Sequence, residues 1–98
     1  VEGGFIQAAS WSLYEEVRFD TKEIISKDWD SYKIIGFDNI PDIETNIINK
    51  EGFPYLGVGE VVAGPTGAAI SNAIYKALGQ RIKTMPFTKD NITRELLN

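Results

Sequence analysis

Three groups of residues in this chain have the types and spacing to do chemistry. In GVGEVVAGPTG, residues 57–67, a lone carboxylate, Glu60, stands between a glycine-rich approach and a run of small and aliphatic side chains that reads as a helix. A glutamate there can serve as a general base. It can equally be a solvated charge near a helix start, held by free N–H groups and the macrodipole, and the local pattern alone favours that plainer role. Gly57, Gly59 and Gly64 raise the question of a phosphate loop. The dinucleotide fingerprint G-x-G-x-x-G fails at its third glycine, where Val62 stands, and the Walker pattern lacks its Gly-Lys-Ser/Thr. Either the glycines permit tight turns, or bare backbone is needed where a bulky ligand comes close. The third group is KDWDSY. In a strand Asp28 and Asp30 share a face, closer together than most acid/base pairs require, so a surface pair flanking an inward Trp29 is the expectation.

The residues that are absent narrow the chemistry further. The 98 residues include no cysteine and no histidine, which removes disulfides, Cys/His zinc sites, thiol nucleophiles and thiolate-held iron–sulfur clusters. Acid or base work must fall to carboxylates, lysines or tyrosines. With 10 Lys+Arg against 14 Asp+Glu the formal charge is -4, so a nucleic-acid backbone would meet a repulsive field. No apolar run approaches the roughly 18 residues of a membrane span. The chain begins VEGGFIQ, without an initiator methionine or a signal-peptide core, and reads as a piece of something longer, with the cytoplasm as its expected setting.

The elements that must position these groups follow from periodicity. Phe5, Ile6, Ala9 and Leu13 fall at helical spacing and predict an amphipathic helix over 3–13, ended near Tyr14 because Glu15 and Glu16 would sit badly at its C-terminal dipole. Residues 15–19 alternate like a strand. Asp20 to Lys22 supply turn chemistry, and Ile24, Ile25, Trp29, Tyr32 and Ile34 predict a returning strand. After Pro41, which interrupts any ladder, Ile43, Thr45 and Ile47 resume a period of two. Residues 49–57 read as loop. A second helix is predicted with Pro65 as its first residue, an inward stripe of Ile70, Ala73, Ile74, Ala77 and Leu78, and Gly79 as its stop. Residues 81–87 read as a short strand or extended segment, and 88–98 as a polar helix docked by Leu96 and Leu97. These elements predict a small single α+β domain over 1–98, its helices packed on a mostly antiparallel sheet.

The pieces EGGFIQ (2–7), YEEVRFD (14–20), DWDSYKI with Ile40-Pro41 after it, GVGE (57–60), GPTGAAISNAIYKALG (64–79) and RIKTMPFT (81–88) occur together and in order. In this the whole chain resembles the C-terminal part of the molybdopterin-binding subunit of the xanthine dehydrogenase and aldehyde oxidase family. The DWDSY and GPT variants are closest to the branch of nicotinate dehydrogenase and isoquinoline oxidoreductase.

The resemblance implies a segment of a larger molybdenum-cofactor-binding domain, hydroxylating an N-heterocycle or aldehyde with oxygen from water. It makes Glu60 the base that deprotonates a molybdenum-bound hydroxyl, with Gly57, Gly59 and Gln7 on the cofactor side. Ala8 stands where the family commonly has glycine. The implied cofactor is a molybdenum–pterin, as a dinucleotide, held by its dithiolene. Iron–sulfur and flavin centres would lie on other domains or subunits, and the partners would be the remainder of the subunit, those electron-transfer subunits and a small-molecule substrate, with no nucleic acid and no membrane span. A noncatalytic interaction module packed on a partner subunit is the competing expectation.

Overall fold

Helix α1 spans Glu2–Leu13 and stops at Tyr14, where the two glutamates begin. Residues 1–98 are all described by this computed structural model. Helix α2 spans Ala63–Leu78, starting two residues before Pro65. Proline is harmless there, because first-turn N–H groups have no partner within the helix. Gly79 closes α2 in the left-handed conformation, φ 73°, its N–H donating to the Tyr75 carbonyl. Helix α3 spans Lys89–Leu96, and its cap, the Thr88 hydroxyl, accepts from the Asn91 N–H at 3.2 Å.

Helices α1 and α2 pack on each other through small side chains. Ala8, Ala9, Ser10 and Ser12 of α1 and Thr66 of α2 are buried, and a Cβ on Gly67 would meet the Ser12 hydroxyl at 3.4 Å. Small residues let the two backbones approach closely, and most of what they bury is backbone and methyl surface. The face of α2 turned inward carries Thr66, Gly67, Ile70, Ser71 and Ile74; the expected stripe is rotated, and Ala73, Ala77 and Leu78 are exposed.

The chain after α2 is tied back by polar contacts. Arg81 donates to Ser71 and Asn72 at 3.1 and 2.9 Å and lies over the Tyr75 ring at 4.7 Å. The Phe87 N–H donates to the Ser12 carbonyl at 2.7 Å, and Phe87 is buried with Ile82 and Pro86. The Asn91 amide, also buried, donates to the Pro86 carbonyl at 2.9 Å. From α3 the Glu95 carboxylate accepts the N–H groups of Lys83 and Thr84. Hydrogen bonding from Thr84, then from the Lys83 backbone, holds that carboxyl below its usual range. Leu96 and Leu97 do not dock: both are exposed, and α3 is anchored by Asn91 and Glu95 instead.

The expected antiparallel sheet is absent. The structure has three helices, one 3-10 turn at Phe37–Asn39 and a single isolated antiparallel bridge, Phe19 to Ile24, so the α+β assignment is corrected to a helical fold with long irregular connections. The turn between those two residues forms as its sequence predicts, with the Asp20 carboxylate accepting from the Lys22 and Glu23 N–H groups at 2.7 and 2.9 Å. Beyond it the ladder fails. Phe19, Ile24 and Trp29 are 73%, 55% and 76% exposed, so no layer covers the hairpin's apolar face, and a two-stranded hairpin without such a layer is marginal in water. The returning strand is also broken at 28–32 by a turn in which the Asp28 carboxylate accepts from the Ser31 N–H and hydroxyl at 2.9 and 2.7 Å. Trp29 therefore points outward, not inward.

Only nine of 98 residues are buried, a small core for this length. The Cα radius of gyration is 16.6 Å, against about 12.6 Å for a compact domain of this length.

Candidate functional site

Glu60 sits in the bend that leads into α2, at the end of the loop 54–62. Its carbonyl accepts the Ala63 N–H at 3.0 Å, which fixes the backbone of the loop to the first turn of the helix. The first-turn donors are largely consumed without its side chain: Thr66 N–H goes to the Val62 carbonyl at 2.9 Å, and Pro65 has none. The Val62 cap makes no side-chain hydrogen bond, and the exposed Glu60 carboxylate has neither a hydrogen-bond partner nor an ion-pair partner. The plain role of a helix-capping carboxylate is therefore not the one it performs here.

What positions the loop is Gly4. A Cβ at that position would lie 2.8 Å from the Gly59 carbonyl oxygen and 3.1 Å from a Val62 methyl. Helix α1 and the GVGE loop thus touch backbone to backbone, an approach open only to glycine at residue 4. The sequence signal was the Gly3-Gly4 pair inside a helix start, where two glycines cost helix stability and need a reason. Gly4 supplies that reason. Gly3 does not, because a Cβ there would meet nothing within 4 Å.

Two grooves flank this contact. One, of about 390 Å³, is lined by Val1 and Phe5, the segment 42–46 and Val62; the other, also about 390 Å³, by Val1, Glu2, Gly3, Thr45, Ile47 and Val58. Both have α1 as their floor, and the GVGE loop contributes Val58 to one wall and adjoins Val62 in the other. Glu60 lines neither groove. Gln7 is exposed on α1, one turn beyond Gly3 and Gly4, and also lines neither. Gly57 and Gly59 are exposed, and a Cβ on either would meet no atom within 4 Å, so no neighbour within the chain requires them to be glycine. The structure brings Gly59 against Gly4 at the start of α1, and leaves Gly57, Glu60 and Gln7 outside that contact. Asp28 and Asp30 lie elsewhere, in the 28–32 turn; the Ser31 hydroxyl and N–H hold the Asp28 carboxyl below its usual range.

No group of three or more His, Cys, Asp or Glu side chains is arranged to hold a metal ion. The loop fits a metal group that brings its own ligands: it offers an unpartnered carboxylate beside two glycines whose bare faces are open. No helix is long and apolar enough to cross a membrane.

No protein-family model matches the chain. It is 34% identical over 96 residues, 98% of its length, to a nicotinate dehydrogenase subunit of Pseudomonas putida, and 28% identical over 101 residues, 97% of its length, to a xanthine dehydrogenase molybdenum-binding subunit of Escherichia coli. It is 27% identical over 86 residues, 88% of its length, to an isoquinoline 1-oxidoreductase subunit of Brevundimonas diminuta. The chain spans 8%, 13% and 11% of those three proteins respectively.

Proposed function

Because the chain belongs to the xanthine dehydrogenase family, in the branch of the nicotinate dehydrogenase and isoquinoline oxidoreductase subunits, we propose that it forms part of the active-site wall of a molybdenum hydroxylase and that Glu60 is the base. The observation that carries this reading is the unpartnered Glu60 carboxylate on a loop whose backbone is held by Gly4. A base must be free to accept a proton yet fixed in position, and this loop combines both properties. The molybdenum–pterin group, when bound, supplies an acidified water-derived hydroxyl and a two-electron sink. Gly57 and Gly59 would present bare backbone to that group without intervening side chains, the Gly59 carbonyl itself being turned to Gly4, and Gln7 would donate to it from α1. Glu60 takes up one proton at a carboxylate oxygen and releases it to water once the product has left. The substrate class is an N-heterocycle or aldehyde, and electrons leave through iron–sulfur and flavin centres outside this chain.

The test is Glu60→Gln in the intact enzyme, with molybdenum content measured alongside turnover. Loss of the base is expected to lower turnover by about 10²- to 10⁴-fold with metal content unchanged. Turnover within about twofold of the parent would remove Glu60 from the base role and favour a wall-forming module without chemistry of its own.

A further inference from the structure

The backbone on either side of Glu60 is gripped at two points. One is Gly59, whose carbonyl lies against Gly4 of α1. The other is Val62, the cap of α2, whose methyl also lies against Gly4, 3.1 Å from where a Cβ would stand. The Val62 carbonyl accepts twice from a single residue: from the Thr66 N–H at 2.9 Å and from the Thr66 hydroxyl at 2.7 Å. Between these points the Glu60 carbonyl accepts the Ala63 N–H at 3.0 Å.

Helix α2 starts Ala63-Gly64-Pro65. Gly64 is a poor helix former and Pro65 has no N–H, so the first turn has little of its own to hold it. A capping side chain ordinarily ties such an end, but Val62 offers no polar atom and the Glu60 carboxylate is unpartnered. Thr66 does the tying from inside the helix, its hydroxyl reaching back to the carbonyl four residues earlier. It is also the one buried residue of α2, 4% exposed, so the enclosed hydroxyl is committed to that bond.

We propose that Thr66 is a positioning residue for Glu60, its enclosed hydroxyl fixing the Val62 carbonyl and through it the end of the loop that carries the carboxylate. The inference rests on the reading of Glu60 as the base. Gly4 sets how close the loop comes to α1, and Thr66 sets where it joins α2. A displacement of about 1 Å costs a reacting group about 10²-fold in rate. Loss of one of the two bonds to the Val62 carbonyl is a smaller disturbance, with about tenfold as its expected cost.

The test measures turnover per molybdenum in the intact enzyme for Thr66→Val, Thr66→Ser, Glu60→Gln and the Thr66→Val/Glu60→Gln pair. Valine keeps the branched shape and loses the donor, whereas serine keeps the donor and loses a buried methyl, so a role in packing alone makes serine the more damaging. Positioning predicts the reverse: kcat about tenfold lower with valine, KM within about threefold, and serine within about threefold of the parent. It also predicts that Thr66→Val costs less than about twofold once Glu60 is glutamine, because the two residues act as one unit. Turnover within about threefold for valine, an equal fall with serine, or a repeated tenfold loss in the Glu60→Gln background would overturn the inference. In those cases a depressed Glu60→Gln leaves the base role standing. Glu60→Gln within about twofold of the parent would overturn both.

Discussion

At the scale of single residues, the Gly3-Gly4 pair separates two effects that are usually entangled. Gly3→Ala meets no atom within 4 Å and gains helix propensity, so it is expected to raise stability by up to about 1 kcal/mol. Gly4→Ala gains the same propensity but drives its Cβ to 2.8 Å from the Gly59 carbonyl, so the loop must move. Thermal melts should show a higher midpoint for Gly3→Ala and a lower one for Gly4→Ala. In the assembled enzyme Gly4→Ala should also lower turnover, because it shifts the loop that carries Glu60. Glu60 was legible in the sequence as a carboxylate beside glycines, but the contact that holds it was not. Residues 4 and 59 are far apart in sequence, and glycine leaves no apolar period by which a distant contact can be inferred.

At the scale of elements, Ser12 is the informative position on the α1–α2 seam. Its hydroxyl is fully buried and has no partner, a state that costs about 1–3 kcal/mol, while its carbonyl receives the Phe87 N–H and is untouched by substitution. Ser12→Ala is expected to raise the unfolding midpoint by the equivalent of about 1 kcal/mol, read by calorimetry. Glu95 tests the docking of α3. Its folded-state pKa is depressed, so its contribution is fully present above the unfolded value of about 4.3 and disappears as pH falls through the folded one. Melting curves for Glu95→Gln should accordingly lie below the parent at pH 7 and converge with it as pH falls through and below the ordinary carboxylate range. All three helices were legible as segments from helical spacing, and α2 also from Pro65 near its start and the Gly79 stop, although the inward face of α2 was not. The sheet was not. Alternation at 15–19 and 43–47 records which faces a segment prefers, and it does not say whether a neighbouring strand lies within the same chain.

At the scale of the whole molecule, extents of 55 × 35 × 26 Å describe an elongated chain, not a compact unit. Small-angle scattering from the chain alone is expected to give a radius near the 16.6 Å of the structure, whereas a value near 13 Å would mean that the irregular connections collapse onto the helices. The irregular run between Ile40 and Gly59, whose backbone groups make no hydrogen bond within the chain, also bears on how the chain behaves as its concentration rises. Exposed backbone with free hydrogen-bonding groups beside uncovered isoleucines can template aggregation, and the few charges on this stretch offer thin protection. The dilute chain should scatter as a monomer, and raising its concentration should bring association that Ile47→Lys and Ile48→Lys together reduce.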